Sequence, residues 1–319
     1  MSKLIQLTLS LAALAVSAQA QTITQTFGSG ANAFSMDFVT IGNPGNTADT
    51  TGSPNPAGAV GYVYNIGKYE VSRDMIDKAN AAGSLGITLS DMSIYGGNGV
   101  NRPATGVSWN EAARFVNWLN TSKGYQAAYN FTTSGANANI TLWGAGQYSG
   151  SNQFRHKDAY YFLPSMDEWY KAAYGSPSGT WYNYATGSDS APSAVANGTS
   201  GAVYSGQSGP ADITNAGELS PYGTMAQNGN VWEWNESAVD GGNNSASENR
   251  ELRGGGWGDV SFALDASIRD DVFTPADSLD FLGFRVASVP GPVPEPSSGL
   301  LVLLGLSAVL RRRRKRSAV

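Results

Sequence analysis

The chain has 319 residues, of which 41% are hydrophobic, 11% aromatic and only 14% charged, with 39 glycines and 14 prolines. This composition argues against intrinsic disorder, because disordered chains are rich in charge and poor in aromatic residues, and it predicts a globular body with much loop. The chain has no cysteine and a single histidine, His156, which excludes disulfides, thiolate nucleophiles, iron–sulfur clusters, sulfur-ligated zinc and facial-triad iron.

The first twenty residues have the three parts of a secretory signal peptide. Lys3 supplies the positive charge, residues 4–16 form an apolar segment, and residues 18–20 are small enough for a cleavage site. We therefore expect residues 1–20 to be a signal peptide that is cleaved after Ala20. The mature chain then begins at Gln21.

The next segment changes from loop-like to regular. Residues 21–59 are rich in glycine, asparagine, threonine and proline and predict a strand-and-loop extension of the body, with a strand at 38–41. Residues 62–71 alternate in polarity and predict a second strand. Ser72 can cap a helix that runs to about Ala82 and ends at Gly83.

Two capping boxes predict two further helices. In each, a serine is followed three residues later by a glutamate, as Ser108 is by Glu111 and Ser165 by Glu168, ahead of apolar residues at helical spacing. Gly175 is placed to end the second of these helices.

The rest of the chain is mostly loop, above all residues 132–157 and 183–210. Three short helices are too few for a doubly wound sheet, so the pattern predicts an α+β fold with long ordered loops. The eight tryptophans are expected to wedge these loops onto the core.

The C-terminal tail, residues 289–319, has three parts in order. Pro294, Glu295 and Pro296 precede an uncharged apolar segment at 297–310 and a basic cluster at 311–316. This order resembles the PEP-CTERM sorting signal of Gram-negative bacteria. The resemblance implies processing by a membrane-embedded exosortase, in hosts that typically make exopolysaccharide.

The length of the tail fits a transient membrane anchor. Residues 299–310 rise about 18 Å as a helix, against a hydrocarbon core of about 30 Å. The basic cluster is expected to stay in the cytoplasm, which leaves the body outside, at the cell surface or in the extracellular matrix. A permanent single-pass anchor is the alternative.

The exported body is acidic. Residues 21–288 hold 13 lysines and arginines against 24 aspartates and glutamates, a formal charge of −11. This charge argues against nucleic acid and anionic lipid as partners of the body.

Six motifs, in order along residues 60–288, resemble the sulfatase-modifying factor family, which is the family of formylglycine-generating enzyme. They lie at 68–72, 107–112, 162–169, 229–234, 252–257 and 282–287. The resemblance implies an α+β variant of the C-type lectin-like fold with few short helices and strands.

The catalytic cysteines of that family have no counterpart here. Formylglycine-generating enzymes use two cysteines that bind copper, between the motifs matched at 252–257 and 282–287. That interval holds no cysteine, and its nearest candidates cannot bind copper: Ser261, Leu264, Ala266 and Arg269. We expect no formylglycine synthesis and no copper, zinc or iron site.

The resemblance also implies a calcium site around the Gly-Asn-Val-Trp-Glu motif. Gly229 and Val231 supply carbonyl oxygens and Glu233 a carboxylate, and Asp212 is an upstream candidate ligand. Ala226 stands where the family has a side-chain ligand. The alternative for Glu233 is a carboxylate that is hydrogen-bonded to loop amides.

A polar and aromatic loop in the same interval is the candidate ligand surface. In lectin-like relatives the corresponding surface faces ligand, whereas a solvated loop is the alternative. The candidate residues are Trp257, Asp259, Asp265, Arg269, Asp270 and Phe273.

The function expected from these features is binding. A cell-surface or matrix protein that binds a polysaccharide or another surface protein fits the missing cysteines and the sorting tail. The alternatives are a diverged enzyme of the same fold and a structural protein of the exopolysaccharide matrix.

Overall fold

The computed structural model describes residues 22–132, 135 and 137–290. The expected signal peptide and the Pro-Glu-Pro motif with its apolar and basic segments lie outside these residues. Over the described range no helix is long and apolar enough to cross a membrane.

Short strands, three α-helices and two single-turn 3-10 helices form the described body. The strands are β1 (Thr22–Phe27), β2 (Phe34–Ile41), β3 (Tyr64–Gly67), β4 (Tyr161–Phe162), β5 (Trp232–Ala238), β6 (Arg250–Arg253), β7 (Leu282–Gly283) and β8 (Ala287–Ser288). The α-helices are α1 (Arg73–Gly83), α2 (Trp109–Ser122) and α3 (Met166–Tyr174), and the 3-10 helices are Gly30–Asn32 and Ser261–Leu264. This is the α+β class that the sequence predicts.

The larger sheet joins both ends of the body, with strand order β1-β2-β3-β8-β4 and antiparallel pairing throughout. The predicted strand at 38–41 is the second half of β2. Its hairpin partner β1 was missed, because only one of its six residues, Phe27, is buried and the polar alternation there is weak. Residues 22–41 are thus an edge hairpin of the main sheet.

The second strand is shorter than residues 62–71 predict. β3 ends at Gly67, and the chain then turns so that Val71 donates its amide to Phe284 O at 2.9 Å. The smaller sheet has the order β6-β5-β7, with β5 antiparallel to β6 and parallel to β7.

All three predicted helices are confirmed. Ser72 caps α1 by accepting from Met75 N, and both predicted capping boxes are formed, at the starts of α2 and α3. Gly83 is the last residue of α1, and Ser84, with φ 52°, takes the left-handed C-cap position that the sequence assigns to the glycine.

One continuous core lies between α2 and the two sheets. The apolar face of α2, Ala112, Phe115, Val116 and Leu119, is fully buried. Trp109 and Trp234 are also fully buried, and their indole N–H groups donate to Asn235 O at 2.9 Å and Val107 O at 2.8 Å. All pairings of both sheets and all core clusters of the described residues fall within residues 22–288.

Candidate functional site

A cleft with a volume of about 1000 Å³ opens between the 149–157 loop, the start of α3 and the chain that follows β5. Its aromatic lining is Tyr62, whose side chain is half exposed, and Phe162. Its polar lining includes Ser149, Ser151, Asn152, Arg155, Lys157, Asp167, Asp240, Asn243, Glu251 and Arg269. Clefts of about 300 to 1,000 Å³ are the usual size of small-molecule sites.

Arg155 forms the floor of this cleft. Its Nε and Nη2 donate to the two carboxylate oxygens of Glu236 at 2.6 to 2.9 Å, and its Nη2 also donates to Glu168 Oε2 at 3.0 Å. Its guanidinium carbon lies 3.7 Å from the ring centre of Phe162. Both carboxylates are fully buried beneath the cleft surface, and Arg155 is ion-paired with each of them.

Three more side chains complete the hydrogen bonds of these carboxylates. Tyr129 Oη donates to Glu236 Oε1 at 2.7 Å and Asn152 Nδ2 to Glu236 Oε2 at 2.6 Å. Tyr62 Oη donates to Glu168 Oε1 at 2.8 Å. A fully satisfied buried network is rigid, so the cleft is shaped before any ligand arrives.

The network fixes the charge states of its members. Burial by itself raises the pKa of Glu168, but the Arg155 guanidinium and the hydrogen bonds outweigh burial and hold that pKa below its ordinary value. Burial lowers the pKa of Arg155, and the two carboxylates more than reverse this and raise it well above its ordinary value. Both groups are therefore charged at neutral pH.

A second ion cluster forms one wall of the cleft. Glu251 Oε1 accepts from Arg253 Nε at 2.7 Å, and Glu251 Oε2 lies 3.4 Å from Arg269 Nη1. Arg269 Nη1 also donates to Val239 O at 3.1 Å, and the side chain is 25% exposed. Both of these bonds come from Nη1, so within the described chain Nε and Nη2 of Arg269 have no protein acceptor.

The cleft lining is balanced in charge. It contains three cations and three carboxylates, which are Arg155, Lys157, Arg269, Asp167, Asp240 and Glu251. It is therefore a polar surface that offers donors and acceptors without a dominant sign.

The only histidine is not part of this lining. The His156 ring packs edge-on against Trp143, with ring centres 4.7 Å apart, and its Nδ1 accepts from Asp158 N at 3.2 Å. From its sequence position, between Arg155 and Lys157 in a polar loop, His156 would be expected to be solvated, but its side chain is only 11% exposed.

Of the six predicted ligand-loop residues, only Arg269 lines the cleft. Trp257 packs against Tyr95 in a separate cluster, and Asp259 Oδ2 accepts from Trp232 Nε1 at 2.8 Å. Phe273 packs on Phe281 with ring centres 6.1 Å apart. The remaining two aspartates accept from the backbone amide two residues further along the chain, Asp265 from Ser267 and Asp270 from Val272.

Sequence reasoning missed most of the cleft because its members are far apart in the chain. Arg155 and Asn152 lie in a loop that has no periodic pattern, and Tyr62 precedes a strand. Glu168 was assigned to a capping box, which it forms, and nothing local shows that the same carboxylate also binds Arg155.

The carboxylate of Glu233, the predicted calcium ligand, is already hydrogen-bonded to other side chains. Its carboxylate takes two hydrogen bonds from Arg285, at 2.6 and 2.5 Å, and one from Trp169 Nε1 at 2.7 Å, and all three residues are fully buried. The buried carboxyl of Glu70 lies nearby, and burial and then the charge of Glu233 raise its pKa well above the ordinary value.

Comparison with known proteins places residues 34–289 in one family. These residues match the sulfatase-modifying factor enzyme 1-like domain, and residues 292–315 match the PEP-CTERM protein-sorting motif. The chain belongs to the sulfatase-modifying factor family. A sorting motif of this kind marks an exported protein that is anchored transiently in the membrane of a Gram-negative bacterium and processed by an exosortase. No curated protein matches the chain.

Solved structures of the same fold cover the whole domain. Treponema denticola variable protein 1 is 19% identical, with a TM-score of 0.59, over 84% of this chain and 99% of that chain. CarF is 20% identical, with a TM-score of 0.57, over 80% and 99%. PvdO from Pseudomonas aeruginosa is 17% identical, with a TM-score of 0.54, over 83% and 98%. At these identities the likeness shows the C-type lectin-like fold alone.

The interval of the sulfatase-modifying factor domain that carries cysteines in formylglycine-generating enzymes has other residues here. It contains the 3-10 helix Ser261–Leu264 and the strand-like pairing of Asp270 with Leu252. Leu264 and Ala266 are buried, and Arg269 faces the cleft. None of these groups can supply a redox-active sulfur.

The calcium site that the sulfatase-modifying factor family implies stays a prediction at Gly229, Val231, Glu233 and Asp212. Asp212 is exposed, whereas the Glu233 carboxylate is buried and bound to Arg285, so calcium at Glu233 requires that the guanidinium give up an oxygen. Within the described residues, no group of three His, Cys, Asp or Glu side chains is placed to hold a metal.

Proposed function

We propose that this exported domain is a binding module that holds a polysaccharide chain in the cleft above Arg155. The observation that carries the proposal is the cleft itself, a preformed polar groove of about 1000 Å³ in a chain that lacks the catalytic cysteines. The sorting tail supports localisation at the cell surface or in the exopolysaccharide matrix.

The chemistry of the lining supports a hydroxyl-rich ligand. Sugar hydroxyls both donate and accept, and the cleft offers amides, hydroxyls, carboxylates and guanidinium donors in mixed order. Equal numbers of cations and carboxylates favour a ligand without a large charge of either sign. The half-exposed ring of Tyr62 at the rim provides an apolar face for stacking on a sugar ring.

The rigidity of the floor supports binding at low entropic cost. Arg155, Glu168 and Glu236 are already satisfied by one another, so a ligand meets a surface that has little left to order. Formylglycine synthesis is not part of this proposal, because its cysteine pair is missing. A copper-loaded sample is therefore expected to leave a cysteine-containing sulfatase peptide unconverted to its aldehyde.

A glycan array with residues 21–289 tests the proposal. The Tyr62→Ala variant is expected to lose about tenfold in affinity, which corresponds to about 1.4 kcal/mol. Tyr125→Ala is the matched control, because Tyr125 is exposed to a similar extent but does not line the cleft. Tyr125→Ala is expected to bind as the unmodified protein does.

Two results speak against this function. One is an array on which no glycan is retained by the unmodified protein, and the other is equal affinity of the Tyr62→Ala variant. Thermal melting of both variants confirms that they are folded before affinities are compared.

A second candidate, self-assembly as a structural matrix protein, is favoured by one observation. Val260 directly precedes the 3-10 helix at 261–264, and Phe262 lies in it. Their side chains are 67% and 66% exposed, and neighbouring apolar side chains of this exposure are typical of contact surfaces. Sedimentation velocity over a concentration series tests it, with Val260→Ser and Phe262→Ser as the variants. A monomer at every concentration argues against assembly.

A further inference from the structure

The chain leaves the body at the rim of the cleft. Val289 lines the cleft and directly follows β8. Its N–H donates to Tyr160 O at 2.9 Å, and its carbonyl oxygen accepts from Asn65 Nδ2 at 3.2 Å. β8 pairs with β3 and β4 in the larger sheet, so the point of exit is fixed relative to the cleft.

Only a short segment separates this exit from the apolar part of the sorting tail. Residues 290–296 span at most about 25 Å in any conformation, because a chain reaches no more than about 3.6 Å per residue. The headgroup layer of one leaflet takes about 6 Å of this length. While residues 297–310 are held in the membrane, the cleft rim therefore lies within about 20 Å of the membrane surface.

The body is too large to turn the cleft away from the membrane on so short a tether. A compact chain the size of residues 21–288 has a radius of gyration of about 18 Å, which corresponds to a sphere about 48 Å across. A tether that runs from the far side of such a sphere to the membrane follows half of the circumference, about 75 Å. The available tether is about a third of that length, so the cleft stays on the membrane-facing half of the body.

We propose that the cleft faces the membrane while the chain is anchored, and that processing of the tail opens the cleft to polysaccharide of high molecular mass. This inference rests on the proposed function of the cleft and adds its regulation. A gap of about 20 Å admits small molecules and short oligosaccharides, whereas it hinders a large, coiled polymer. Binding of matrix polysaccharide is thereby restricted to chains that have left the membrane.

Thiol labelling tests the access to the cleft without any glycan ligand. The chain has no cysteine, so a single introduced cysteine is the only thiol. Lys157→Cys places it at an exposed position of the cleft lining, and Ser200→Cys is the matched control. Ser200 is exposed, and Val203 of the same loop pairs with Gly229 just before β5, whereas the cleft lies at the other end of that strand.

The anchored protein, residues 21–319 on lipid vesicles, is compared with the released body, residues 21–289. Maleimide coupled to high-mass dextran is expected to react with the cysteine at 157 at least about tenfold more slowly in the anchored protein, an effective barrier of about 1.4 kcal/mol. N-ethylmaleimide, a small reagent, is expected to react at the same rate in both forms. The cysteine at 200 is expected to show no such difference with either reagent.

A longer tether separates orientation from any other effect of the membrane. Insertion of about 40 Gly-Ser residues after Pro290 lets the body turn over and is expected to restore fast dextran labelling at position 157. Energy transfer from a dye at 157 to labelled lipid headgroups is expected to exceed that from a dye at 200, and the insertion is expected to remove the difference. Equal dextran labelling of the anchored and released forms, or equal energy transfer from the two positions, overturns the inference. Neither result bears on the glycan array, which tests the binding function separately.

Discussion

Arg155 and Glu236 form a two-nitrogen ion pair beneath the cleft, with Nε 2.8 Å from Oε1 and Nη2 2.6 Å from Oε2. The pair joins the irregular 149–157 loop to β5. Through Glu168 the same guanidinium also holds the start of α3. Three segments that are remote in sequence therefore depend on one side chain for their relative positions.

Replacement of that side chain is expected to be strongly destabilising. Arg155→Met leaves two buried carboxylates without their cation, and loss of one partner from a buried pair costs about 3–5 kcal/mol. Urea unfolding measures the change in the free energy of unfolding. Lys157→Met, at an exposed lysine of the same cleft, is the control and is expected to change stability by less than about 0.5 kcal/mol. Equal stability of the two variants contradicts the network.

The capping box of α3 is expected to make a smaller contribution. Ser165 Oγ accepts from Glu168 N at 3.3 Å, and Ser165→Ala removes that acceptor at a cost of about 1 kcal/mol. Ser200→Ala, in an exposed loop, is the control and is expected to change stability little. The midpoints of urea unfolding measure the loss of stability in both variants, provided that the dependence of the free energy of unfolding on urea concentration is unchanged. A shift of the same size in the control contradicts the predicted contribution of the capping box.

Ala226 offers a test of calcium binding. Its φ is 66°, a left-handed conformation that asparagine tolerates better than alanine, and the family places a calcium ligand at this position. Ala226 is buried in the cluster that contains Trp257, so Ala226→Asn without calcium is expected to lose stability despite the better backbone fit, and calcium is expected to restore it. Melting with calcium and then with chelator measures both effects. If the variant melts at the same temperature in calcium and in chelator, it does not bind calcium at this site.

Lys171 gives the domain a defined pH dependence. Burial lowers its folded-state pKa from the ordinary 10.5 to about 8, so between these values the unfolded chain binds more protons than the folded one. The contribution of this residue to the free energy of unfolding is therefore expected to rise as the pH goes from 8 to 10.5. Urea titrations across that range measure it. The Lys171→Met variant is expected to show no such increase in stability. If the increase persists in this variant, another titrating group causes it.

The features that sequence reasoning recovered are local ones. The capping boxes at Ser108 and Ser165 are read from four consecutive residues, because the hydrogen bonds that define them close within one turn. β1 was missed, since a mostly exposed edge strand needs only its hairpin partner to form. The six family motifs carry fold information that neither periodicity nor composition contains.

The sequence by itself determined the class of fold, the three helices, the sorting tail and the absence of thiol chemistry, because each rests on residue identity or on short spacing. The tertiary structure alone decided that Arg155 lies between Glu168 and Glu236, that Glu233 is bound by Arg285, and that Lys171 is buried beside a cavity. The ion pairs join residues up to 81 positions apart, and ion pairing and burial depend on distance in space, which no local pattern records.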